Sequence, residues 1–163
     1  ILLFVLHQGD NGFSKINGRE LLKSSAPFAA IGDLDELQAW LSLLISFLPE
    51  EEVSLKKIIK TLGIISGQIA GCVKGEISKE EVDFLEKEAG KAERKASKVK
   101  EFLIFTKREA ALLNISRTVC RRAERTLVAL SQKETVSPHS LAYLNRLSTL
   151  LFWWAVLASS PEV

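Results

Sequence analysis

The stretch Arg117-Thr118-Val119-Cys120-Arg121-Arg122-Ala123-Glu124-Arg125 constrains this chain more than any other. It lies within a segment, Lys107 to Leu130, that has no glycine or proline and is rich in helix formers, so a helix is predicted there. With Arg117 at zero and about 100° per residue, Arg121 falls at about 40°, Asn114 at about 60°, Arg125 at about 80° and Glu124 at about 340°, with Arg122 further round at about 140°. Leu112, Val119, Ala123, Leu127 and Leu130 occupy the other side. The segment must therefore bury one face and carry a band of fixed cations on the other. An ordinary solvated face laced with i,i+4 ion pairs would look similar, and such pairs contribute only tenths of a kcal/mol. The band, however, uses only arginine although lysine is plentiful elsewhere. Arginine presents a planar fork that matches phosphate or carboxylate, and clustered like charges repel unless an anion sits among them. The band points to a polyanion or to a subunit contact.

Four further helices are predicted. The first opens at Asp33 as N-cap, with Asp35 and Glu36 in a first turn that suits the helix dipole, and runs to about Leu48, before Pro49. The second spans Ser54 to about Val73, closed by Gly75; Gly63, Gly67 and Gly71 recur along one side and predict close helix packing. Ser78 followed by Glu81 is a capping box opening a third helix that ends near Lys95. Ser137 as N-cap and Pro138 behind it open the last, running to about Ala158. Ile1 to Leu6 leans toward a strand, and 16–31 reads as irregular. Short connections between five helices predict an all-α, up-and-down bundle with a four-helix core, ferritin-like in appearance.

The chain's 163 residues suit one domain. Twenty-two basic against 20 acidic side chains leave a net charge of +2, which argues against a nucleic-acid-binding module; such a module would bind through the arginine helix with strong salt dependence. Cys72 and Cys120 are far apart, as expected of free thiols in a reducing compartment. His7 and His139 are the only histidines and no E-x-x-H occurs, so no zinc or di-iron centre is expected. Uncharged runs at 37–48 and 147–160 are shorter than the ~20 residues of a membrane span, and Trp153 and Trp154 extend an apolar face suited to the core or to a subunit contact. The apolar first residues lack a basic region and a cleavage site, so no signal peptide is expected. There is no methionine, even at position 1, so residues are expected to precede Ile1.

The arginine stretch, followed by Tyr143-Leu144-Asn145-Arg146-Leu147-Ser148, resembles the C-terminal signature of the PduO-type ATP:corrinoid adenosyltransferases, R-T-x-C-R-R-A-E-R and then Y-L-N-R-L-S-D. Gly9, Asp10, Gly12, Phe13 and Ser14 resemble the family's N-terminal loop T-x-T-G-D-x-G-[TF]-[TS], although Leu6 and Gln8 stand where the family has threonines. Taken alone, Gly-Asp-Asn-Gly would be a plain surface turn. Gly32 to Leu37 resembles G-x-x-D-E-L, and Phe102 aligns with the phenylalanine of F-I-L-P-G-G, whose Pro-Gly-Gly has become Phe105-Thr106-Lys107. Thr149 replaces the family's final aspartate, and Ser24-Ser25 its D-D pair.

The resemblance implies a single domain, with a nucleotide-binding N-terminal loop at 1–32 and the bundle at 33–158, assembling as a cytoplasmic homotrimer with active sites between subunits. It implies transfer of the 5′-deoxyadenosyl group of ATP to the cobalt of a reduced corrinoid, cob(I)alamin, with Mg²⁺ on the triphosphate. Expected at the nucleotide are His7, Gln8, Gly9, Asp10, Gly12, Ser14, Lys15 and Lys23 from the N-terminal region. Arg117, Arg121, Arg122, Glu124, Arg125 and Asn145 are expected from the signature. Arg121, Arg125, Asp35 and Phe102 are expected to act in catalysis: the arginines on phosphates, Asp35 pairing with Arg117 or Arg121 of a neighbour, and Phe102 displacing the lower ligand of cobalt. From its local sequence alone, Phe102 would be assigned to the core. No catalytic metal held by the protein, no nucleic acid and no membrane are expected; a corrinoid reductase and a B12-dependent acceptor enzyme are expected partners. The departures also admit an alternative, a non-catalytic relative that binds ATP or corrinoid.

Overall fold

The computed structural model describes residues 9–96, 99 and 101–159; Ile1 to Leu6, His7 and Gln8 lie outside them. The first element overturns the irregular reading of 16–31. Strands β1 (Phe13–Ile16) and β2 (Arg19–Leu22) form an antiparallel hairpin with Ile16 opposite Arg19. Asn17-Gly18 closes it, with φ of 49° and 71°. A two-residue turn with both φ positive matches the twist of the paired strands, and Asn-Gly is the favoured dipeptide for it. The hairpin tip is seated on the bundle. The Asn17 amide donates to the Ala70 carbonyl at 3.1 Å, and Arg19 pairs with Glu134 at 3.0 Å.

Five helices follow: α1 (Ala26–Ile45), α2 (Glu52–Ile69), α3 (Lys79–Lys95), α4 (Arg108–Ser131) and α5 (Pro138–Ser159). A single 3-10 turn at Pro49–Glu51 leads into α2. The start of α1 corrects the sequence reading. Asp33 is not an N-cap; Ser25 occupies that position, its backbone extended, with Pro27 in the first turn. Proline is tolerated there because the N–H it lacks has no helical partner. Gly32 is therefore inside the helix, where glycine costs about 1 kcal/mol relative to alanine. Burial of Ala30, Leu34, Leu37, Leu41 and Leu44 along one side outweighs it. Helix α1 accordingly begins at Ala26 and not at 33, and the carboxylates of Asp33, Asp35 and Glu36 owe nothing to the N-terminal dipole.

The glycine stripe on α2 also differs from expectation. Gly71 lies beyond the helix, against the side chain of Asn17, and a Cβ at Gly67 would clash with Val73 in the turn that follows. These two glycines admit the chain's own turn and hairpin rather than a neighbouring helix. The capping box on α3 is present: Glu81 accepts from the Ser78 amide at 2.8 Å. Ser78→Ala should lower stability by about 1 kcal/mol, measurable by chemical denaturation. Capping interactions hold Glu81 below the usual carboxylate range, chiefly through the Ser78 hydroxyl.

In space α4 packs against both α1 and α5; α5 also packs on α3, and α1 on α2. The order departs from a simple up-and-down bundle, because α3 sits on α5 rather than beside α4, its successor in the chain. Lys57 lies 3.8 Å over the ring of Phe84, joining α2 to α3. As expected, α5 starts just after Ser137 and is a core helix. Tyr143, Leu144, Leu147, Leu150 and Leu151 are fully buried, and Trp154 is buried beside them. Among the described residues α5 is the one helix long and apolar enough to cross a membrane, and half of that stretch is buried within the bundle.

Candidate active site

Helix α4 presents its two faces as the spacing predicts: Leu113, Val119, Cys120, Ala123, Leu127 and Leu130 are buried, while Arg121 and Arg125 are exposed. Arg117 is half-buried and donates through Nε to Asn114 Oδ1 at 2.9 Å. Burial, and then the charge of Arg121, lowers its pKa; both effects favour an anion beside it. Arg117 and Arg121 line a cavity of about 180 Å³ with Ser148, Thr149 and Phe152 of α5. No carboxylate lines that cavity. Arg121 and Arg125 make no ion pair among the described residues, and Arg125 donates only to the Arg121 carbonyl, at 3.3 Å.

Arg122 is elsewhere. Its Nε donates to Asp33 Oδ1 at 3.1 Å, and an Nη pairs with Glu36. It is the one arginine of the band committed to α1. Asp35, between these two acids in the chain, is exposed and makes no ion pair among the described residues.

A second network ties α4 to α5. Asn145 donates through Nδ2 to Glu124 Oε1 at 2.9 Å and accepts from Arg146 at 2.8 Å, while Arg146 reaches Glu86 of α3 at 2.7 Å. One turn earlier, the Cys120 thiol donates to the Leu144 carbonyl at 3.3 Å. Burial pushes that thiol far up, so it stays protonated as a donor. These contacts aim Glu124 and Asn145, two of the nucleotide candidates of the signature, at one another.

The N-terminal candidates form a separate cluster. Gly9 and Gly12 take φ of 90° and 81°, and the Gly12 amide donates to the Gly9 carbonyl at 3.1 Å. Positive φ at both ends produces a tight turn that side chains would strain. The Phe13 amide donates to Asn11 Oδ1 at 3.2 Å. Lys23 closes the turn: its amide donates to the Gly12 carbonyl at 2.9 Å, and its Nζ lies so near Gly9 that a Cβ there would be 2.9 Å away. Asp10 is exposed at the turn, and Ser14 and Lys15 follow on β1. The arginine cavity contains none of these residues.

Phe102 is not in the core. It is 93% exposed and Ile104 79% exposed, on the segment before α4. Phe105 anchors that segment edge-on against Phe152, with ring centroids 6.5 Å apart. Because Phe152 also lines the arginine cavity, two apolar side chains stand exposed on a segment anchored beside fixed cations. Phe152 is not among the site residues expected from the sequence. Its position four residues after Ser148, on the same helix face, was the available signal.

One helical bundle thus carries a carboxylate-free arginine cavity, a glycine turn closed by lysine and an exposed apolar segment. The cobalamin adenosyltransferase family model matches residues 4–158. A cobalamin adenosyltransferase of Cupriavidus metallidurans is 35% identical over 149 residues, covering 88% of this chain and 81% of the relative. A corrinoid adenosyltransferase of Citrobacter freundii is 30% identical over 166 residues, covering 95% and 94%. Among solved structures, an arginine variant of a PduO-type ATP:corrinoid adenosyltransferase from Lactobacillus reuteri complexed with ATP superposes with a TM-score of 0.88 at 26% identity, covering 96% of this chain and 94% of that one. A phenylalanine variant complexed with cobalamin and ATP has the same TM-score and identity, covering 95% and 90%. This chain belongs to the cobalamin adenosyltransferase family, in its PduO-type branch.

Proposed function

We propose that this chain catalyses its family's reaction with cob(I)alamin as acceptor: the cobalt electron pair attacks C5′ of ATP, the C5′–O bond breaks, and the bonding electrons leave with triphosphate. Adenosylcobalamin is the product. The cobalt is the nucleophile, so no serine, cysteine or histidine is required. The observation that carries this reading is the carboxylate-free cavity of Arg117 and Arg121 next to the anchored segment that exposes Phe102. The fixed cations meet the charge that develops on the leaving triphosphate; Mg²⁺, when bound to the triphosphate, would supply further charge neutralisation there. Arg117, Arg121 and Arg125 hold phosphates, while Gly9, Asp10, Gly12, Ser14, Lys15 and Lys23, with His7 and Gln8, wrap them from the other side. Glu124 and Asn145 hold the nucleoside. Phe102 takes the lower face of the corrin, favouring the four-coordinate cobalt that is easier to reduce.

The turn and the arginine cavity are separate clusters within one copy, which supports a homotrimer whose sites form between subunits. Asp35 on α1 and Arg121 on α4 are both exposed and without an ion pair among the described residues, so each suits the other on a neighbour; Arg117 is the other candidate for Asp35. The setting is cytoplasmic, with a corrinoid reductase upstream and a B12-dependent enzyme downstream. The single domain comprises the N-terminal nucleotide loop and the bundle.

The test is an anaerobic assay with ATP, Mg²⁺ and chemically reduced cobalamin, following loss of cob(I)alamin absorbance and formation of a light-sensitive alkylcobalamin. Turnover is expected. Absence of turnover with ATP binding retained would replace this reading with a binding-only relative. Arg125→Ala should raise the KM for ATP and lower kcat, together reducing kcat/KM by about tenfold or more, as for loss of a charge-assisted hydrogen bond. Unchanged steady-state kinetics would remove Arg125 from the site.

A further inference from the structure

The acids of α1 have lost their dipole explanation, and the structure supplies another. Arg122 is engaged by Asp33 through Nε and by Glu36 through an Nη. The second oxygen of Asp33 is also used: Thr126 Oγ1 donates to Oδ2 at 2.5 Å. One carboxylate thus bridges two side chains spaced one turn apart on α4. Isolated surface ion pairs contribute little, but this is a shared network, and the Asp33 side chain is only 20% exposed. The clamp fixes α1 against α4 at the level of the arginine band. It leaves Asp35 on one helix, and Arg121 and Arg125 on the other, facing outward.

We propose that Asp33, with Glu36 and Thr126, is a positioning residue of the transfer reaction. It holds Arg122 on α1, and so sets the α1–α4 surface on which Asp35, Arg121 and Arg125 meet substrate or a neighbouring copy. Arg122 is then not a phosphate ligand, although it sits inside the arginine signature. A phosphate would have to displace two carboxylates from its fork. Lysine cannot substitute, because a point charge cannot address Asp33 and Glu36 in two fixed directions. This inference rests on the transfer reading for its kinetic consequences, but its geometric core does not.

The experiment uses the full chain and two readouts. In the first, Asp33→Asn, Arg122→Lys and the double variant are assayed for kcat and for the KM of ATP and of cob(I)alamin separately. Each single variant is expected to lose roughly tenfold in kcat/KM for ATP, and the double variant no more than the worse single, because the residues act as one unit. Thr126→Ser should retain activity and Thr126→Val should lose part of it. A merely stabilising pair would shift melting and leave kcat/KM for ATP unchanged. The second readout is the Arg122 Nε–H resonance in the ATP-free protein. It should move in Asp33→Asn and stay in place when ATP is added to the unaltered protein. The proposal is overturned if Arg122→Lys raises the ATP KM while Asp33→Asn leaves it alone, or if ATP shifts the resonance and Asp33→Asn does not. Absence of turnover in the unaltered protein would sink the transfer reading, and the resonance would still decide the clamp.

Discussion

Phe102→Ala is expected to lower turnover by one to two orders of magnitude while leaving the melting temperature and ATP affinity nearly unchanged. The separation follows from its surroundings. At 93% exposure the ring contributes almost nothing to the core, so removing it leaves no cavity and the usual cost of truncating a buried phenylalanine does not apply. Once a corrin ring covers it, the same side chain would bury on the order of 100 Å² of apolar surface, worth about 2–3 kcal/mol at 25 cal/mol per Å². In the proposed site that energy would help drive the lower ligand from cobalt, and it would vanish with the ring. The check is anaerobic steady-state kinetics beside thermal melting and ATP titration. Phe102→Leu should recover part of the loss, because the requirement is for apolar bulk. Turnover equal to that of the unaltered protein would show that the phenylalanine does not stand against the corrin.

Leu127→Ala should do the reverse, weakening the fold by about 2–5 kcal/mol, the range for buried leucines replaced by alanine. Leu127 is fully buried on α4, and α4 is the helix packed against both α1 and α5. A cavity there loosens the two contacts that aim the arginine band. The midpoint of denaturation at fixed protein concentration measures the loss. A change below about 1 kcal/mol would mean that the surrounding helices collapse into the space.

Legibility varied with how local the determining physics was. Helices α4 and α5 could be read within a residue or two, because periodicity, an uninterrupted run of helix formers and a Ser-Pro start agree. The opening of α1 could not. Gly32 and the acids after it imitate an N-terminus, and tertiary burial of Ala30 and Leu34 overrode that local signal. The hairpin is marked in the sequence by Asn17-Gly18, but strands of four residues carry too little alternation to announce themselves. At the site, the outward orientation of Arg121 and Arg125 followed from the helical wheel. The turning of Arg122 to α1 did not, because angular position says nothing about which acids a neighbouring helix brings close. Phe102 was the opposite case: its local sequence pointed to the core, and the structure leaves it 93% exposed.

The hairpin acts as a strut. Its tip is hydrogen-bonded to the end of α2 and ion-paired to the residues after α4, while its open end carries the Gly9–Gly12 turn and Lys23. Two short strands are stiff compared with a free loop of equal length, so the entropy of ordering the turn is spent during folding and is not charged against nucleotide affinity. In the proposed site, affinity for ATP would therefore depend partly on Asn17, Arg19 and Glu134, at the strut's other end.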